Sequence, residues 1–264
     1  MKTIVTAITA VLLVGLGCSP KTEDDVENPY HYTSFSRFTD PGEKWPMLEK
    51  LPTDLSIICE VAKRQTVHHD LLSYFGVPRE EWDGMDRVWP PRMSDILSAL
   101  EHRPPHTLYA DRPVEQRIIG ACMLESHLLA GMLRYTNIPA RIRAGYFKNV
   151  RGNTDVVISF WEDVSRAEGI EQELLEQDAT AWKQAMNRIA QEQIDVNHYI
   201  EHWICEYWDE EEKRWRLLDA NNTFLFASSG IKVGFHLPGE YFEYAFEAWK
   251  KMRKDKNFNP DQYM

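Results

Sequence analysis

Three residues far apart in this 264-residue chain, Cys122, His202 and Asp219, have types that could do chemistry together. A thiolate is a strong nucleophile, and an imidazole exchanges protons near neutral pH. A carboxylate beside the imidazole fixes its tautomer and stabilises its cation. The grouping of two of them follows from a predicted hairpin: HWICEYW (202–208), DEEE (209–212) and KRWRLLD (213–219) read as strand, turn and strand. Pairing Trp208 with Lys213 sets His202 directly opposite Asp219, with Cβ atoms ~4.5–5.5 Å apart. Ile204 with Leu217 and Glu206 with Trp215 share that face. Trp203, Cys205 and Tyr207 take the other, so Cys205 is expected in the core and not beside His202. Cys122 opens the segment CMLESHLLAGMLRY (122–135). At a helix amino end, the helix dipole and a neighbouring imidazolium would both favour its thiolate form. Such a set is the apparatus of nucleophilic acyl transfer. Spacing alone leaves open that the His and Asp are a satisfied polar pair in a sheet.

The elements that must hold these residues are legible to different degrees. Apolar residues over 53–74, ending at Gly76, predict a first helix with Thr53 as its cap, Cys59 on its buried stripe, and His68 and His69 on its surface. A loop with Trp82, Trp89, Pro90 and Pro91 leads to a short helix over 93–102, and Asp111 with Pro113 predicts a helical turn ending at Gly120. Residues 122–135 are apolar on most sides and predict a helix buried at the centre, stopped by Asn137 and Pro139. ARIRAGYF (140–147) alternates as a strand. Residues 148–198 read as an acidic helical insertion: nine Asp or Glu against three Lys or Arg lie between Glu162 and Asp195, and Trp182, Met186 and Ile189 form one apolar stripe. A closing helix is expected over 240–253, with Tyr241, Tyr244, Ala245, Ala248 and Trp249 on one face.

Residues 1–17, MKTIVTAITAVLLVGLG, combine one charge at Lys2 with an apolar stretch and small residues before Cys18. That is the layout of a secretory signal, too short for the ~20 apolar residues of a membrane span. The GLGC ending is similar to a bacterial lipoprotein cleavage site, which implies lipidation of Cys18. Residues 18–35 are polar and aperiodic and are expected to be a flexible tether, leaving 36–264 as the folded domain. The expected location is therefore extracytoplasmic, with the membrane reached only through a lipid on Cys18. A composition of 43% apolar residues supports a full core, and a net charge of −11 argues against a nucleic-acid partner. Four cysteines without close pairing predict neither a disulfide scaffold nor a structural zinc site.

GACMLESHLLAGMLRYTNIPARIRAGYF (120–147) resembles the transglutaminase-like core, in which a Cys opens a helix that runs through an "LR..GIPAR...GY" passage into a strand. HWICEYWDEEEKRWRLLDA (202–220) resembles its second half, a His followed four residues later by Glu and a strand ending in Asp. AFEAWKKMRKDKNFNPDQYM (245–264) is similar to the end of a bacterial branch of such proteins. The resemblance implies an α+β, papain-like fold in which a central buried helix carrying the Cys packs on an antiparallel sheet carrying His and Asp. It also implies a Cys122–His202–Asp219 catalytic triad. Met123, Leu124 and Glu125 stand where the bacterial branch has Arg, Asp and an aromatic.

The leading expectation is a thiol-dependent enzyme acting on amide bonds of a protein or peptide, as peptidase, amidase or protein-glutamine transglutaminase, with no cofactor and no metal. Gln116 and the Trp-rich loop are candidates for a second oxyanion donor. The alternative is a non-catalytic lipoprotein that keeps the fold as a binding scaffold. A third, zinc held by Cys122, His202 and Asp219, ranks last because direct contact of the three needs no ion. His127, one turn beyond Cys122, is expected to be a buried, hydrogen-bonded residue.

Overall fold

The structure, a computed structural model, describes residues 28–69, 72, 77–78, 82, 84–85, 87–148, 199–220, 235–237, 239, 242–255 and 257–258. The leader, Cys18 and the acidic insertion lie outside the described residues, apart from Lys148.

The architecture is mixed α+β. Helix α3 (Cys122–Tyr135) packs against a four-stranded antiparallel sheet of order β5-β4-β3-β6, and helices α1 (Leu55–Gln65) and α2 (Met93–Glu101) pack on α3. Its strands are β3 (Ala140–Lys148), β4 (Tyr199–Asp209), β5 (Arg214–Leu218) and β6 (Phe242–Tyr244), and α4 (Ala245–Lys254) follows β6. A separate parallel pair joins β1 (Thr66–His68) to β2 (Ile118–Gly120). The main core lies between the three helices and one face of the sheet: Ile58, Cys59, Ile96, Leu97, Leu128, Leu129, Cys205 and Leu218 belong to it. The other face of the sheet has its own cluster of Phe147, Ile204, Leu217, Leu237 and Phe242. Among the described residues no helix is long and apolar enough to cross a membrane.

Helix α3 has the expected bounds. Its sequence is apolar nearly all round, and eleven of its fourteen residues are buried. Asn137 adopts the left-handed conformation (φ 63°) just past its end, and the N–H of Ile138 returns to the Leu133 carbonyl. The first helix is shorter than its apolar pattern predicted. Asp54, not Thr53, caps it, accepting from the Ile57 N–H at 3.0 Å. It stops at Gln65 because the β-branched pair Thr66 and Val67 extends into β1 and pairs with β2. His68 is therefore in a strand opposite Gly120, not on a helix surface, and exposed His69 follows it. The helical turn expected to run to Gly120 is confined to Val114–Gln116, after which the chain becomes β2.

The loop leading to β2 is fixed by a buried arginine. Arg112 gives its Nε hydrogen to Gln65 Oε1 at 2.7 Å and its terminal nitrogens to the Pro104 and Thr107 carbonyls at 2.8 Å. No run of sequence signals this, since every acceptor is neutral and all but Gln65 are backbone carbonyls. The amino-terminal boundary also moves. Order begins before Phe35: Asn28 caps a 3-10 turn (Pro29–Thr33), Tyr30 Oη donates to Glu210 at 2.6 Å, and Tyr32 packs edge-on against Trp215. At the other end, residues 242–244 are strand and only 245–254 are helix, and Trp249 is 54% exposed, so it does not belong to the buried face of the closing helix.

The hairpin forms in a register two residues from the one expected. Asp209 pairs with Arg214 and Cys205 with Leu218, so the turn is Glu210–Lys213. Asp209 causes the shift. Its Oδ1 accepts the N–H groups of Glu211 and Glu212 at 2.9 and 3.0 Å, which keeps it at the strand end, and Lys213 takes the left-handed conformation (φ 51°) that closes the turn. A shift of two preserves the face each side chain occupies, whereas a shift of one would have reversed it.

Candidate functional site

Because the register shift is even, Asp219 comes beside Ile204 instead of His202 but remains on the His202 face. The diagonal separation is still within side-chain reach. His202 Nε2 and Asp219 Oδ2 are 2.6 Å apart, and both residues are buried. Since that nitrogen is taken by the carboxylate, Nδ1 is the one left to exchange a proton. Burial by itself lowers the affinity of His202 for a proton. The Asp219 carboxylate and the Cys122 side chain outweigh it and raise the imidazole pKa to about 10. Phe147 meets the imidazole edge-on, with ring centres 6.1 Å apart.

Cys122 reaches this pair through a strand-to-helix transition. Gly120 ends β2, and a Cβ there would press on Leu124 at 2.7 Å, so a glycine permits the tight entry into α3. Cys122 is the first residue of α3, where the leading backbone N–H groups have no acceptor within the helix. Strand β4 crosses this helix end. The Trp203 N–H donates to Cys122 Sγ at 3.3 Å, Ser126 Oγ donates to the Trp203 carbonyl at 2.8 Å, and Cys205 Sγ donates to the Ser126 carbonyl at 3.1 Å. The Trp203 donor was invisible in the sequence, because a backbone amide carries no residue signature.

The three cysteines inside the described fold differ in access. Cys59 and Cys205 are fully buried, and burial pushes both thiols well up. Cys122 retains 9% exposure. Cys205 sits in the main core, on the face of β4 opposite His202, as its place in the hairpin implied.

Glu125 carried no role in the sequence reading. It lies one turn after Cys122, is 5% exposed, and makes no hydrogen bond or ion pair among the described residues. Burial and the nearby Asp219 carboxylate raise its pKa to about 8, against the pull of His202, Lys63 and Arg117. His127 is buried, with Nδ1 2.6 Å from the Met123 carbonyl and its ring on Phe38, so it is a satisfied residue of the helix. Gln116 is exposed on its 3-10 turn, and its carbonyl accepts from Arg103. Trp89 is 78% exposed, and Trp82 donates to the Val77 carbonyl. None of these three makes a hydrogen bond to Cys122 among the described residues. His69 lies nearer, with Nδ1 3.2 Å from the Gly120 carbonyl and its ring stacked on His68.

Among the described residues no group of three or more His, Cys, Asp or Glu side chains has the arrangement of a metal site. Cys122, His202, Asp219 and Glu125 supply a buried thiol, an imidazole and two carboxyl groups. No protein-family model, curated protein or solved structure matches this chain.

Proposed function

We propose that the chain is a thiol-dependent acyl-transfer enzyme acting on amide bonds, built on a papain- or transglutaminase-like version of the α+β fold, with Cys122, His202 and Asp219 as its triad. The observation that carries the reading is the buried 2.6 Å contact between His202 and Asp219, with Cys122 Sγ held at 3.3 Å by the N–H of the next residue, Trp203. In this mechanism Cys122 Sγ attacks the carbonyl carbon, and the oxyanion that forms is held by the Cys122 N–H at the start of α3. His202, protonated at the start of the cycle, gives its proton to the leaving nitrogen as the C–N bond breaks. Water then attacks the thioester and passes a proton to His202, which releases the acid and restores the thiolate and imidazolium. An amine in place of water forms a new amide instead. Asp219 orients His202 and stabilises its charged form. The apolar leader and Cys18 support a lipid-anchored, extracytoplasmic setting, with a protein or peptide as substrate.

The low exposure of Cys122 favours a second reading, a binding scaffold whose thiol is closed off. Acylation separates the two. Full-length protein mixed with p-nitrophenyl acetate is expected to release a stoichiometric burst of p-nitrophenolate and to carry the acetyl group on Cys122, with Cys122→Ala showing neither. Acylation that is absent, or unchanged in Cys122→Ala, overturns the enzymatic reading.

A further inference from the structure

Resting on the proposed triad and deepening it, we infer that Glu125 is a positioning residue of the same site: a buried carboxyl that stays protonated while Cys122 and His202 carry their charges, and that raises the proton affinity of His202 when it ionises. The placement is geometric. Glu125 and Cys122 are one turn apart on α3, and the helix is held against β4 at that turn by the Ser126–Trp203 and Cys205–Ser126 hydrogen bonds. Its carboxyl is buried without a hydrogen-bond partner among the described residues, a costly state for a carboxylate and a much cheaper one for the neutral acid. Several charged or titratable groups act on Glu125 through space. These are Cys59 and Lys63 on α1, Arg117 before β2, His202 and Cys205 on β4, and Asp219 after β5.

Charge balance gives the direction. With Glu125 neutral, the thiolate, imidazolium and Asp219 carboxylate sum to one negative charge, with His202 as the shared counter-ion. Ionisation of Glu125 adds a second uncompensated carboxylate, which holds the proton on His202 more tightly and opposes a further negative charge on sulfur. Burial places that step on the alkaline side of neutrality, where an ordinary Glu has long been ionised. The acid therefore takes no part in bond making. It sets the alkaline behaviour of the imidazole that does.

The test reads the imidazole and needs no substrate, so it can fail while acyl transfer stands, and the reverse. In full-length protein, the nitrogen chemical shifts of His202, assigned against His202→Gln, are followed with pH. The expected curve has a small inflection near the pKa of Glu125 and a main titration above it. Glu125→Gln should remove the first inflection and move the main one to lower pH by about one unit, and Glu125→Asp should restore a first inflection. As a measurement free of substitution, infrared spectra of wild type labelled with carbon-13 glutamate should show a protonated carboxyl stretch at neutral pH that disappears on alkalinisation. A titration of Glu125→Gln superimposing on wild type, or no protonated glutamate band at neutral pH, overturns the inference.

Discussion

Two buried side chains on one face of β4, His202 and Glu206, have opposite surroundings. Glu206 is 2% exposed and satisfied on both oxygens: Arg141 Nε and Arg143 Nε each lie 2.6 Å from Oε2, and Tyr244 Oη donates to Oε1. Arg141 is held in turn over the Trp215 ring at 3.9 Å. Arginine does not give up its proton near neutral pH, so this cluster is electrostatically fixed. The polar groups around His202 are instead a thiol and carboxyls, and one buried carboxyl, Glu125, has no hydrogen bond among the described residues. The same strand face thus carries an ion cluster that locks β3 to β4 and β6, and a titratable cluster to which we assign the proposed chemistry. Burial is common to both clusters, and only the kind of partner, arginine against thiol and carboxyl, separates them.

The comparison breaks if the two clusters respond alike. The largest effect is expected for Glu206→Leu, which leaves two partly buried arginines without their carboxylate and should cost about 3–5 kcal/mol in urea denaturation. A cost no larger than that of an exposed pair would remove the distinction.

Next comes the dependence of stability on pH. The His202 pKa rises from an ordinary 6.5 to about 10, so the folded protein binds this proton more tightly than the unfolded chain. The resulting stability is full below pH 6.5 and is lost as pH rises to about 10. Glu125 acts in the same direction between 4.5 and about 8, because an ionised carboxylate is penalised only in the fold. Stability should therefore fall on the order of 3 kcal/mol across the alkaline range, and Glu125→Gln should flatten the lower part of that fall. The midpoint of denaturation, measured at a series of pH values, checks both.

Gly145 pairs with both His202 and Tyr244, and a Cβ there would meet the Glu243 carbonyl and the Phe242 ring. Gly145→Ala is expected to cost about 1–3 kcal/mol in thermal or urea unfolding and to slow Cys122 labelling by displacing His202. The smallest effect belongs to Arg214→Ala. Its ion pair with Glu212 is largely exposed, and the loss should stay below about 1 kcal/mol.

Much of this was legible in the sequence where the signal is local or periodic. The α3 bounds follow from an apolar run with an Asn and Pro stop, and the shared face of His202 and Asp219 survives because strand parity tolerates an even shift. The register itself was not legible, since it depends on Asp209 accepting two turn amides in preference to joining the turn. The first helix was overextended because Leu71 and Leu72 continue an apolar pattern past residues that pair with a strand fifty positions away. The Trp203 amide on Cys122, the carbonyl cage around Arg112 and the isolation of Glu125 arise only from packing between distant segments.

The coupling of Cys122 to His202 is the central claim, and the pH dependence of iodoacetamide alkylation at Cys122 tests it most directly. Full-length wild type would be compared with His202→Ala by peptide mapping, with Cys59 and Cys205 as the fully buried background. Labelling of Cys122 much faster than of the buried background, slowed when His202 is removed, is the expected result. Slow labelling that is indifferent to His202 would contradict it.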